Sequence, residues 1–144
     1  MVMILGLTAG CASGIAPSSI DAPGRQSALF QEFPETLFSA ISEGCQTDAD
    51  TLTRVSETLL VCESLPSPRV AAGLILQFEG DIEELPTFVT TLEATEHPAG
   101  FIVTTEYFYR VPQRNGDVAV VRFRQARIEN TVRRVFATAG GRSF

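Results

Sequence analysis

His97 is the only histidine of this chain, and it stands in a Glu96-His97-Pro98 turn. An imidazole there could act as general base to a serine. The Gly-x-Ser-x-Gly elbow that would present such a serine is missing from the sequence. A solvated loop residue is the plainer reading, and a small hydrolase built on His97 ranks last among the functions considered. Zinc hydrolase motifs with two histidines are excluded by count. All 11 basic residues are arginine, which also excludes a Schiff-base lysine and a phosphate-loop lysine. An all-arginine chain reads first as genomic base composition. Asp81, Glu83 and Glu84, with Glu79 beside them, and the pair Asp48 and Asp50 could in principle hold calcium or move protons. They lack the spacing of a calcium loop and read as solvated surface. Cys45 and Cys62 with one histidine make a poor zinc set, because they lack close spacing. No catalytic residue, metal site or cofactor is expected from these groups.

The elements that would position them are few. A chain of 144 residues, 44% hydrophobic and 19% charged, suits one globular domain with one core. Leu29, Phe30, Phe33, Leu37, Phe38 and Ile41 recur at helical steps, so Ser27 to Cys45 reads as a first helix bent at Pro34. Thr51 to Ser64 is rich in β-branched residues and reads as two short strands broken near Ser56-Glu57. A helix is predicted over Arg69 to Phe78, then strands over Thr87 to Thr95 and Phe101 to Val111, joined by the turn at residues 96–100. Asn115-Gly116 is a tight-turn dipeptide. Residues 118–124 fit either strand or helix, and a final helix runs from about Gln125 to the Gly140-Gly141 stop. The order α-β-β-α-β-β-α predicts an α+β two-layer sandwich, a roughly four-stranded antiparallel sheet under about three helices.

Charge divides unevenly along the chain. Residues 1–100 hold 14 acids against three arginines; residues 101–144 hold three acids against eight arginines. A net charge of −6 argues against nucleic acid as a partner, since such domains carry a basic surplus. The basic third is expected to pair chiefly with the acidic part of its own fold.

The chain opens Met-Val-Met-Ile-Leu-Gly-Leu-Thr-Ala-Gly-Cys. An apolar stretch that closes on Ala9-Gly10 directly before Cys11 resembles the lipobox of bacterial lipoprotein signal peptides. Thr8 departs from the pattern, where leucine is usual. The ten residues before Cys11 are short and carry no basic n-region, which fits a start codon lying upstream. The resemblance implies that residues 1–10 are a truncated signal segment and that Cys11 is acylated. The Ala-, Ser-, Gly- and Pro-rich residues 11–27 would then tether a domain over residues 28–141 to a membrane, facing the periplasm. With Cys11 lipidated, Cys45 and Cys62 remain as an even pair in an oxidising space. They read either as a bridge, worth about 3 kcal/mol by loop entropy, or as two buried thiols.

A last cluster lies in the basic third. If the chain is helical there, Phe123, Arg127 and Arg134 fall together on an outer face, the composition of a protein-contact anchor. The alternative turns Phe123 inward from a strand. Anionic lipid headgroups are a further target for these arginines. The leading expectation is therefore a non-catalytic, lipid-anchored envelope protein that contacts an unidentified protein partner. The alternative is a cytosolic adaptor or oligomerising domain without lipid.

Overall fold

The computed structural model describes residues 22–144. The lipobox-like segment 1–10, Cys11 and the tether through residue 21 lie outside the described residues.

The fold is α+β and is organised on one long strand. Phe101 to Val111 is dense in β-branched and aromatic side chains, which favour extended backbone, and it forms the centre of β5 (Gly100–Pro112). On one side β5 pairs antiparallel along its length with β4 (Thr87–His97). On the other side, its first half pairs with β1 (Arg25–Phe30) and its second half with β6 (Val118–Val121). Beyond β4 come β3 (Leu59–Ser64) and β2 (Asp50–Ser56); beyond β1 comes the short β7 (Arg142–Ser143). The sheet has seven strands in an open antiparallel array, three more than the four expected. Of the additional ones, β1 and β6 share the far edge of β5, and β7 pairs with β1 beyond it.

Alternation along β5 sends Phe101, Val103, Thr105, Tyr107, Tyr109 and Val111 to one face. Register adds Ala28 and Phe30 from β1, Leu92 and Ala94 from β4 and Leu60 from β3. Over that face lie α1 (Glu35–Gly44) and α3 (Ala126–Thr138), whose Leu37, Phe38 and Phe136 complete the hydrophobic cluster. Phe30 and Phe136 meet edge to face at 5.9 Å, and Phe33 sits between Phe38 at 4.8 Å and Phe101 at 5.7 Å. Each such side chain contributes about 1.5–3 kcal/mol by leaving water. Thr105 is the buried polar exception, and its hydroxyl donates to the Thr91 carbonyl at 2.8 Å.

The expected first helix divides in two. Residues 25–30 form a strand and only Glu35–Gly44 is helical, with Pro34 at the cap. Leu29, Phe30 and Phe33 do stand at helical steps, but β5 offers an unpaired edge, and pairing outweighs local periodicity there. Ala28 and Phe30 then reach the core by period two rather than period 3.6. The strand also carries the fold three residues into the stretch read as tether. Gly24 adopts φ +74°, and a Cβ there would collide with the Tyr107 carbonyl. Its own carbonyl accepts from the Tyr107 amide at 2.7 Å. At the other terminus β7 continues past residue 141 to pair with Ala28 and Leu29. Residues 118–121 resolve as strand, while α3 starts at Ala126, in line with the helix expected from about Gln125.

The two cysteines in the described residues are bridged. Cys45, at the C-terminal cap of α1, joins Cys62 on β3 across a Cα–Cα distance of 6.0 Å. The bond fixes α1 to a strand 17 residues away in sequence.

Candidate interaction surfaces

Charged side chains cross the bare face of the sheet in short networks. Glu106 lies between Arg25, at 3.5 Å, and Arg122, at 3.0 Å; Arg110 pairs with Glu63; Arg122 also stands over the Phe108 ring at 5.2 Å. These pairs are partly exposed, so each contributes at most about 1 kcal/mol. Of the contacts between the basic third and the acidic part of the chain, Arg110 to Glu63 is the clearest. Both Arg110 with Glu63 and Arg25 with Glu106 join the two parts, as the charge division predicts. Among the described residues the arginines of α3 and the Glu79 to Glu84 run do not pair with each other.

The three residues expected to share one helix face are separated. Phe123 precedes α3 and turns toward the tyrosines of the covered face. It stacks on Tyr109 at 5.1 Å and 15°, meets Tyr107 edge-on at 5.2 Å, and lies 6.4 Å from Phe88. The inward turn is the one the alternative expected, but Phe123 makes it from the loop between β6 and α3 and not from a strand. Burial raises the pKa of both tyrosines above the ordinary value. At Tyr107 the nearby Glu129 carboxylate adds to that rise, while the Gln125 backbone opposes it. Arg127 and Arg134 remain, about two helical turns apart on the outer side of α3, with Thr131 between them. Both are exposed, and neither forms an ion pair among the described residues. Arg133, on the flank, donates to Asn130 of the same helix.

A surface that the sequence reading missed lies at the end of the sheet where β3 leaves, β4 enters and β5 ends. Leu65-Pro66-Ser67-Pro68 breaks β3 and starts α2 (Pro68–Gln77), with proline in the first helical turn where its missing N–H costs nothing. After α2 the chain is pinned to the end of β5. The Gly80 and Asp81 amides donate to the Ile75 and Pro112 carbonyls, both at 2.8 Å, and the Gln113 side chain donates to the Phe78 carbonyl at 2.8 Å. Gly80 is required there, because a Cβ would stand 2.9 Å from the Ile75 Cα.

Only Ala71 and Leu74 of α2 are buried. Leu76 is 82% exposed, Ile82 75%, Leu65 54% and Leu85 51%. Leu65, Pro66, Pro68, Ala71, Ile75 and Leu85 line an apolar groove of about 470 Å³. Val118 of β6, paired with Pro112 at the same end, is also exposed. Glu79, Asp81, Glu83 and Glu84 follow α2 in the chain up to Leu85, and the Asp81 carboxylate accepts from the Glu83 amide at 2.9 Å. The same end carries the exposed Arg69 of α2 and Arg114, whose guanidinium donates to the Gly80 carbonyl at 3.4 Å. Among the described residues Asp81 and these glutamates carry no ion pair. The sequence signal was the position of Leu76, which lies off the Ala71, Leu74, Ile75, Phe78 stripe; Ile82 and Leu85 follow after α2 has ended at Gln77.

His97 ends β4 on the hairpin opposite this surface. Its Nδ1 accepts from the Ala99 amide at 3.2 Å. Asp50 caps the loop before β2, accepting from the Thr47 hydroxyl at 2.6 Å. That bond, followed by one from Ser64, lowers its pKa. Among the described residues no three His, Cys, Asp or Glu side chains converge on a metal position, and no helix is long and apolar enough to cross a membrane. Comparison with known proteins returns no matching family model, no matching curated protein and no matching solved structure.

Proposed function

We propose that this chain is a lipid-tethered envelope protein whose domain works by contact with another protein rather than by catalysis. The bridge between Cys45 and Cys62 is the observation that carries this reading. Disulfides persist in oxidising compartments such as the periplasm, and with three cysteines in the chain the pairing leaves Cys11 over. Cys11 is the residue that the lipobox-like Leu7-Thr8-Ala9-Gly10 run precedes. Acylated there, the chain has 13 residues between anchor and β1, a reach of at most about 45 Å when extended. More than one acyl chain would hold it stably. The exposed apolar end at α2 and the unpaired arginines of α3 supply the contact surfaces, since large apolar patches with charged rims mark interaction sites.

The test is to feed cells of the native host an alkyne fatty acid and compare the chain with its Cys11→Ser variant. Label on the first and none on the second is expected. Equal labelling, or a native mass that starts at Met1 without acyl groups, removes the anchor.

A further inference from the structure

We infer that the partner of the α2 end is the α3 face of a second copy, so that the chain associates head to tail. This deepens the contact reading above by naming the partner, and it does not depend on the lipid.

The two surfaces differ in sign and stand on different elements. At the α2 end, apolar Leu65, Leu76, Ile82 and Leu85 are exposed, and Glu79, Asp81, Glu83 and Glu84 outnumber the two arginines there, Arg69 and Arg114, so the end keeps an acidic balance. On α3, Arg127 and Arg134 lie on the outer side with Thr131 and Thr138, and Val135 is 39% exposed beside them. No acid stands on that outer stripe. Among the described residues these two charge sets do not pair, so each retains its field for an external partner. An acidic end repels an anionic bilayer and an acidic peptide, and it attracts a guanidinium-bearing helix. Arginine and exposed aliphatic side chains are also the residues able to cover an apolar patch, because the guanidinium stem packs while its head meets a carboxylate.

The contact is heterologous: one copy presents α2 and the next presents α3. Repeated, it extends as a chain unless the rotation closes a ring. Such an arrangement has a signature that a symmetric dimer lacks. Disabling one surface leaves the other intact, and two differently disabled copies still make one contact.

The experiment uses the full chain carrying Cys11→Ser, so that lipid plays no part, in sedimentation velocity over a range of concentrations. Two variants are added to it, Leu76→Asp with Ile82→Asp, and Arg127→Glu with Arg134→Glu. All four positions are exposed, and circular dichroism checks that each variant is folded. The unaltered surfaces should give species larger than a monomer that grow with concentration. Association should weaken as salt rises from about 0.1 M to about 1 M, where the screening length falls from about 10 Å to about 3 Å. Each double variant alone should associate at least tenfold more weakly, since truncated anchors typically cost that much. An equimolar mixture of the two should form dimers and nothing larger. A monomer at every concentration overturns the proposal. Association that survives in either variant, as an α2-to-α2 contact or one made by the apolar N-terminus would, overturns it also, and so does a mixture that stays monomeric. A variant that fails to fold is replaced by Leu76→Ser with Ile82→Ser or by Arg127→Gln with Arg134→Gln, read by the same criteria. Loss of acyl label in the preceding test leaves every one of these outcomes unchanged.

Discussion

Under α1 and α3 the sheet presents Phe30, Leu60 and Val103 to Leu37, Phe38 and Phe136, and each of these is 3% exposed or less. At the end that carries α2, the apolar side chains are of similar size, yet Leu76 and Ile82 stand mostly in water. The difference lies in what covers them. Above the middle of the sheet, two helices converge, one of them fixed by the Cys45–Cys62 bond and the other stitched by Phe30 against Phe136. At the end of the strands, α2 buries only Ala71 and Leu74 of its own residues. Burial in this molecule follows the number of layers that meet at a residue more closely than the residue's own hydropathy.

The comparison makes graded claims about stability. The largest effect belongs to Phe136→Ala, which empties the contact with Phe30 and should lower unfolding free energy by about 3–5 kcal/mol in urea titration. A loss under 1 kcal/mol would mean that α3 is not the lid of the core. Replacing Cys45 and Cys62 together by alanine should cost about 3 kcal/mol through loop entropy, measured the same way under non-reducing conditions. An unchanged midpoint would detach α1 from its supposed staple.

The aromatic group formed by Phe88, Tyr107, Tyr109 and Phe123 supplies a third measure, by pH. The chain has two tyrosines and no tryptophan, so phenolate absorbance reports these two alone. Burial raises both pKa values, and the neutral phenol is therefore the form the fold prefers. The resulting stabilisation is complete below about pH 10, the ordinary tyrosine value, and is lost as pH rises through the folded values. Both rings should titrate above the ordinary range in the native protein and within it in urea. One ring titrating normally while folded would open the cluster to water. The smallest effect is expected at the α2 end. Leu76→Asp with Ile82→Asp should shift stability by no more than about 0.5 kcal/mol per site, as exposed positions do. A larger loss would show that this surface is covered within the monomer.

How much of this was legible beforehand varies by element. The two strands broken near Ser56-Glu57, the helix after Pro68 and the strand from Phe101 to Val111 follow from turn residues and composition close by, and the structure has them within one to three residues. β1 was misread because Leu29, Phe30 and Phe33 satisfy the helical step as well as the strand step. The unpaired edge of β5, some 70 residues away, decided between the two. Phe123 shows the same limit. Its neighbours Arg122 and Arg124 suit an outward helix face, and only the ring of Tyr109 across the sheet explains why it turns in. The α2 surface was not foreseen, since a run of leucines and isoleucines between prolines looks like core until the layers are counted.

By itself the sequence determined what depends on residue type and near neighbours: the absence of lysine chemistry, the isolation of His97, the prolines that bracket α2, the basic stripe of α3 and the cysteine before a small-residue pair. Tertiary structure alone decided which edge of β5 was filled, that Cys45 faces Cys62, and that acid and arginine ended on separate surfaces. Local preferences are set by a few dihedral angles and amount to tenths of a kcal/mol per residue, whereas these three outcomes rest on pairing, covalent closure and burial between segments distant in the chain.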